Sequence, residues 1–318
     1  MPATANWQLI DREPARDSFL DDVLHGLGLP AKALPPKYFY DARGSELFEM
    51  ICELPEYYPT RTELAMMRSH VAEMAAALGG GCALIEFGSG SGIKTEILIA
   101  ALRPVMYLPV DISRDALCAS AARIAEHHAP LPVTAVCADY MRLDALPLDD
   151  ASRRVIYFPG STIGNLTPEE ALDFLGRSRR IAGTGGAMLV GVDLKKDPAL
   201  LHAAYNDAQG VTAEFNLNLL ARINRELEGD FDPRCFRHVA FYDAQLGRIE
   251  MHLESLAAQV VTVAGRRFEF AAGERIHTEN SCKYGIDEFA VLARHAGFAH
   301  RAVWTDPLQH FAVHLLEV

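Results

Sequence analysis

"LIEFGSGSGIKTE", residues 84–96, places three glycines, Gly88, Gly90 and Gly92, within five positions straight after a short apolar run. The run reads as a strand buried on both faces. The glycines read as a bend that lets the backbone pass close beneath a ligand. From Ile93 the pattern turns helical. A strand, a glycine bend and a helix in that order open a parallel α/β unit, and the segments that follow repeat the alternation. Strands are predicted over 105–111 ("VMYLPVD"), 131–139 ("LPVTAVCAD"), 153–160 ("RRVIYFPG") and 186–194 ("GAMLVGVDL"). A helix is predicted over 113–128, and another after Thr167, where Thr-Pro-Glu supplies an N-cap, a first-turn proline and an acidic first turn. The stretch 60–78 predicts a helix covering the sheet. These elements make the fold α/β, a doubly wound sheet.

After Leu194 the rhythm changes. The stretch "DPALLHAAYNDAQGVTAEFNLNLLARINRELEG" (197–229) shows helical spacing, with Val211, Phe215, Leu219, Ile223 and Leu227 recurring every fourth residue. Short alternating segments follow, "HVAFYDAQLGRIEMHLESL" and "QVVTVAGRRFEFAAGERIHTEN", punctuated by glycines as antiparallel hairpins are. A helix near 286–297 and two strands, "AVWTD" and "FAVHLLEV", close the chain. The partition this implies is a core of residues 61–196 and 286–318. The second, α+β lobe then combines 1–60 with 197–285.

Composition narrows the function. The 318 residues are 50% apolar and 23% charged, with a net charge of −12. Polyanion binding needs clustered Lys and Arg, so nucleic acid is not an expected partner. The six cysteines, at 52, 82, 118, 137, 235 and 282, form no CxxC pair and no zinc-ligand spacing. No metal is expected, and the thiols read as reduced and mostly buried. The N-terminal "MPATANWQLIDREPARD" carries no apolar signal core. No run approaches the roughly 18 apolar residues of a membrane span. The expectation is a cytoplasmic protein with a small-molecule substrate and no obligate protein partner.

The glycine pattern Glu86-x-Gly88-x-Gly90-x-Gly92 discriminates among cofactors. A dinucleotide fingerprint puts its third glycine at 93, where this chain has Ile93, and a P-loop requires Lys-Thr one register earlier than Lys94-Thr95. The pattern resembles motif I of the class I S-adenosylmethionine (SAM) methyltransferases, which implies a Rossmann-like sheet and SAM as cofactor. Glu86 then tunes the loop or meets the methionine end through water. Asp111, ending the second strand, is placed to accept from both ribose hydroxyls, and Asp139 from the adenine amino group beside the Tyr140 ring. Each of these acids also has a plain reading as a helix N-cap.

Five longer segments are more specific: "LPPKYFYDARGSELFEMICELPEYYPTRTE" (34–63), "YFPGSTIGNLTPEEA" (157–171), "AAYNDAQGVTAEFNLNLLARIN" (203–224), "IEMHLES" (249–255) and "IHTENSCKYG" (276–285). Together, in this order, they resemble the histidine Nα-methyltransferases of ergothioneine biosynthesis over nearly the whole chain. The resemblance implies trimethylation of the α-amino group of L-histidine to hercynine. It implies that Asn165 and Tyr205 hold the histidine carboxylate, with Gly160 and Thr162 on the Asn165 loop. Tyr57, Glu279 and Ser281 bind the imidazole. Tyr40 lies near the amine, and Phe48 and Met251 shape the cavity. Tyr40 and Tyr57 are thereby the catalytic candidates. For the cofactor the matching residues are Gly88, Lys94, Asp111, Asp139 and Tyr140, with Gly90 and Gly92 completing the bend. Where the family often has Phe, Tyr140 adds a hydroxyl whose role stays open.

Three rivals remain. A related methyltransferase for another amino acid is disfavoured by Glu279 and Met251. A SAM-binding module without turnover is disfavoured by the Tyr57, Asn165, Tyr205 and Glu279 set, and a nicotinamide-linked oxidoreductase by Ile93.

Overall fold

The computed structural model describes residues 6–12, 16–90, 92–148 and 152–318. The elements run β1 (Trp7–Asp11), α1 (Arg16–Leu27), α2 (Ala42–Glu53), α3 (Tyr58–Leu78), β2 (Ala83–Phe87), α4 (Ile93–Leu102) and β3 (Met106–Asp111). Next come α5 (Arg114–His127), β4 (Val133–Cys137), β5 (Arg154–Phe158), α6 (Pro168–Ala182), β6 (Ala187–Asp193), α7 (Pro198–Tyr205) and α8 (Val211–Leu227). The remainder is β7 (Phe236–Asp243), β8 (Arg248–Ser255), β9 (Gln259–Val263), β10 (Arg266–Phe270), β11 (Arg275–Cys282), α9 (Ile286–His295), β12 (Ala299–Thr305) and β13 (Phe311–Glu317). The chain divides into two compact units, one of Met1–Glu13, Pro59–Lys195 and Cys282–Val318, the other of Pro14–Tyr58 and Lys196–Ser281.

The first unit is built on an eight-stranded sheet in the order β1-β4-β3-β2-β5-β6-β13-β12. Strand β2 shows why it winds on both faces. Leu84 joins a cluster with Met67 and Met74 of α3, Leu98 of α4 and Leu117 of α5. Ile85 and Phe87 point the other way, into a cluster with Phe174 of α6 and Phe289 of α9. All five residues of β2 are buried, as a central parallel strand covered on both sides requires. The strand order reverses at β2, with β3 and β4 to one side and β5 and β6 to the other. Open α/β sheets bind ligands at such a switch point, outside the carboxyl ends of the strands. The two closing strands add an antiparallel edge, β13 pairing β6 and β12 pairing β13.

The N-terminal segment corrects the sequence-based partition. Strand β1, expected in the second lobe with the rest of 1–60, pairs in parallel with β4, Trp7 opposite Val133 through Asp11 opposite Cys137. Its half-exposed residues suit an edge strand, and only pairing with a distant strand satisfies its backbone. At the other joint the core resumes at Cys282. The rest of the stretch read as lacking a signal core, residues 1–5 and 13–15, lies outside the described residues.

The second unit packs α1, α2, α7 and α8 around one core with the antiparallel sheet β11-β8-β7 and the hairpin β9–β10. The helical stretch after Leu194 breaks in two at 206–210. Asp207 explains the break, since its carboxylate accepts from Val211 N at 2.9 Å and Thr212 N at 2.8 Å. Gly210, at φ +74°, turns the chain into α8. Along β8 the side chains alternate, with Ile249, Met251 and Leu253 in the core and Glu250 and His252 half-buried on the other face. Among the described residues no helix is long and apolar enough to cross a membrane.

Candidate active site

The glycine bend leaves β2 at the switch point. Gly88 and Gly90 adopt φ of +73° and +45°, and a Cβ on either would meet no atom within 4 Å. The bend is thus an open cradle that needs glycine for its backbone, with room above it for a ligand. Ser89 adds a buried hydroxyl oxygen with no hydrogen-bond partner among the described residues. Gly92 is also left-handed, at φ +68°, but a Cβ there would lie 2.7 Å from Ser120 Oγ, so it adds close packing of α4 on α5.

Asp111, at the end of β3, accepts from Ser113 N at 2.9 Å through one oxygen and from Gly90 N at 3.4 Å through the other. It therefore braces the bend, and burial raises its pKa. Asp139 accepts from Met141 N at 2.9 Å and caps the short turn after β4. Tyr140 stacks on Phe87 at 5.7 Å between centroids, with Phe158 and Phe174 edge-on. Burial, then the charges of Asp111 and Asp139, push its phenol pKa up, so the hydroxyl stays protonated and can donate.

Glu86 and Lys94 turn their charged ends to protein partners. The Glu86 carboxyl is buried beneath the bend, where Thr95 Oγ1 donates to it at 2.6 Å and the Tyr107 hydroxyl donates to the other oxygen. It ties β2 to the first turn of α4 and β3. Burial raises its pKa to about 8 against the two hydrogen bonds, so the group is mostly protonated near neutrality. A carboxyl whose folded pKa is raised contributes most below its unfolded pKa, near 4.5, and its contribution fades as pH rises through about 8. The wild-type melting temperature should therefore fall between about pH 6 and about pH 9 more steeply than that of Glu86→Gln, whose amide does not ionise. Parallel melting curves for the two proteins over that range would contradict the burial argument.

Lys94 ion-pairs with Glu63 of α3, a fully buried carboxylate that also accepts from Gly160 N at 2.9 Å. Glu63 thus joins α4 to the loop after β5, and sequence reading missed it. Its signal was only a charge five residues into a helix, at the end of the "PTRTE" segment. The same loop holds Thr162, whose hydroxyl donates to Pro159 O at 2.9 Å, and Asn165, half-buried at the end of a short 3-10 turn. Gly164 lets this turn pack on the chain, because a Cβ there would stand 2.8 Å from Cys282 O.

The second unit gathers the other candidates. Tyr40, Phe48, Tyr57 and Tyr205 form a chain of edge-on rings, 5.6, 6.3 and 6.4 Å apart in turn. The Tyr205 hydroxyl donates to Ser281 Oγ at 2.7 Å. Glu279 is also buried, and the Tyr57 pKa is raised well above the usual phenol value, chiefly by burial and then by Tyr205, with smaller contributions from Cys52, Tyr40 and Glu279. Met251, 1% exposed, lies in the core cluster against which Tyr40, Phe48 and Tyr57 pack.

Behind these residues is a polar network the sequence did not disclose. Asn216 of α8, fully buried, donates to His238 Nδ1 at 2.9 Å and to His252 O at 3.0 Å, and accepts from Thr278 Oγ1 at 2.8 Å. His238 Nε2 in turn donates to Tyr205 O at 2.9 Å. One amide thereby fixes both the end of α7, carrying Tyr205, and β11, carrying Glu279 and Ser281. An Asn inside a helical repeat gives no such hint, since its partners lie on separate strands.

An open sheet with a glycine cradle at its switch point and carboxylates ending the next two strands defines a protein of the SAM-dependent methyltransferase class. Residues 19–318 match the family described as histidine-specific, SAM-dependent methyltransferases, and the chain belongs to that family. It is 42% identical over 310 residues to the histidine N-alpha-methyltransferase of Mycolicibacterium smegmatis, covering 95% of this chain and 96% of that protein. It is also 42% identical to the enzyme of that name from Mycobacterium tuberculosis, over 92% of this chain and 93% of the other. Ergothioneine biosynthesis protein 1 of Neurospora crassa is 31% identical over 90% of this chain, which spans 33% of that longer protein.

Proposed function

We propose that this protein transfers methyl groups from SAM to the α-amino nitrogen of L-histidine, in three rounds, to give hercynine on the way to ergothioneine. The observation that carries the choice of substrate is the buried Glu279 on β11, with the buried Ser281 two residues further along the same strand. Residues two apart on a strand share a face, so a carboxylate and a hydroxyl can accept from and donate to the two imidazole nitrogens. A side chain lacking those nitrogens makes neither hydrogen bond, so the pocket discriminates against it.

SAM supplies an electrophilic methyl group on a sulfonium, and Gly88, Gly90, Asp111, Asp139 and Tyr140 are the residues that would hold it. The chain's own task is to present an amine with a free lone pair in line with that methyl, and positioning of this kind lowers a barrier by roughly 7–11 kcal/mol. Tyr57, kept protonated by burial, serves as a hydrogen-bonding phenol and not as a phenolate base. The Tyr205 hydroxyl, which in the free protein donates to Ser281 Oγ, is the proposed carboxylate partner once it turns its proton to the substrate. Asn165, with Gly160 and Thr162 on its loop, is proposed for the substrate on the family resemblance. Tyr40 and Phe48 offer ring faces to an ammonium that grows with each round, an attraction that survives loss of its N–H groups. Tyr40 is the proposed relay for the released proton.

The test is mass spectrometry of products from SAM and each of the twenty amino acids. Histidine alone should gain one, two and then three methyl groups. Methylation of another amino acid in preference would reassign the Glu279 pocket, and SAM binding without any product would leave a non-catalytic module.

A further inference from the structure

The face of the three-stranded sheet turned away from Ile249, Met251 and Leu253 carries a cluster, two residues along β11 from Glu279, to which methyl transfer assigns no role. Ile249, Met251 and Leu253 fill the core, so Glu250 and His252 of β8 face the opposite way, where His277 of β11 joins them. One ligand atom from each of the three lies within 4.8 Å of the others. The carboxylate of Glu250 is divided between partners. Its Oε1 accepts from Arg248 Nε at 2.9 Å and Nη2 at 2.6 Å, while Oε2 accepts from His252 Nε2 at 2.9 Å. His277 Nε2 lies 3.0 Å from the Glu279 carbonyl, which can only accept, so in the neutral ring Nδ1 carries the lone pair, and the Asn280 side chain is a further partner of the ring that an ion would have to displace or share. His252 Nδ1 is buried with no hydrogen-bond partner among the described residues. The His252 ring is held flat against Phe241, at 5.4 Å and 5°, with its centroid 5.0 Å from that of His277. Side-chain exposures of 12% for His252 and 13% for Glu250 leave the cluster shielded yet reachable from solvent.

We propose that Glu250, His252 and His277 form a binding site for a divalent transition-metal ion, with zinc the best fit. Two imidazoles and one carboxylate are a zinc donor set, and a fourth position is left to water. Tetrahedral bonds of about 2.0–2.1 Å put ligand atoms about 3.3 Å apart, so the cluster closes on the ion with side-chain shifts on the order of 1 Å. Its outer partners are already in place. Arg248 fixes one carboxylate oxygen; the other, held by His252 Nε2–H, turns to the ion when that ring carries its proton on Nδ1 instead, and the Glu279 carbonyl fixes the His277 ring, as groups behind metal ligands do. The Arg248 charge also opposes a cation, which makes this an exchangeable site and not a structural one. An ion here ties β8 to β11, the strand that carries Glu279 and Ser281.

The test is a Zn²⁺ titration of the full, chelator-treated chain by calorimetry, followed by the visible spectrum of the Co²⁺-loaded protein. The expected result is one equivalent bound. His252→Ala and His277→Ala should each weaken binding by at least about tenfold, the lower bound for loss of even an outer partner. The cobalt spectrum of the unaltered chain, which does not depend on how the variants fold, should show nitrogen and oxygen ligation. No binding, equal binding in both variants, or a thiolate-to-cobalt band placing the ion on the cysteines would each overturn the proposal.

Discussion

Replacing Glu279 by alanine should raise the histidine concentration needed for half-maximal rate by about 10–150-fold, with the SAM requirement within about twofold of wild type. The range follows from a hydrogen bond to a charged group, roughly 1.5–3 kcal/mol, at about 1.4 kcal/mol for each factor of ten. Glu279 is buried within the second unit, so no water layer compensates for its loss. Glu279→Gln keeps the volume and one acceptor oxygen but not the charge, and should fall between wild type and alanine. A second signature is specificity. The alanine variant keeps only Ser281 to hydrogen-bond the imidazole, so the preference for histidine over phenylalanine should narrow by the same order. Steady-state kinetics with each substrate varied in turn gives both readouts. Equal losses for histidine and SAM would show that Glu279 supports the fold of its strand and does not touch substrate.

The central sheet was legible because its strands are buried on both faces. "CALIEF" and "GAMLVGVDL" are continuous apolar runs, and runs of that kind bounded by glycine and helix patterns have few other readings. Strand β1 was assigned to the wrong part because nothing local tells an edge strand which distant strand it joins. "WQLID" mixes apolar and polar residues, and its partner "VTAVC" begins at Val133. The break between α7 and α8 was blurred for another reason. Asp207 caps the second helix through two backbone amides, a signal that needs the side-chain rotamer to be seen.

Site residues divide along similar lines. The glycines and the acids at strand ends could be found because their positions follow from backbone geometry. Residues that act by pairing charges or amides across elements could not. Glu63 looks like any helical glutamate until Lys94 and Gly160 N converge on it, and Asn216 gains meaning only from His238 and Thr278. Nothing in their spacing along the chain marks the outward His252 and His277 as ligands. Only the strand pairing of β8 and β11 brings them, with Glu250, to one face.

Asp111→Ala should produce the complementary kinetic pattern, a rise of about 10–150-fold in the SAM requirement with histidine selectivity intact. Two losses combine in it. The carboxylate is the proposed acceptor for the ribose hydroxyls, and it also holds the bend through Gly90 N at 3.4 Å and the start of α5 through Ser113 N at 2.9 Å. Asp111→Asn separates these. An asparagine can still accept from one backbone amide, but its NH₂ group then faces the other donor, and it offers the ribose one acceptor instead of two. The asparagine variant should therefore lie nearer to alanine than to wild type. S-adenosylhomocysteine, the donor stripped of its methyl group, distinguishes ribose recognition from attraction to the sulfonium. The ribose is common to donor and product, so inhibition by S-adenosylhomocysteine should weaken by the same factor as SAM binding. A variant that loses SAM but keeps its affinity for the product would mean that Asp111 acts on the positive charge, and that the hydroxyls are held by some other group.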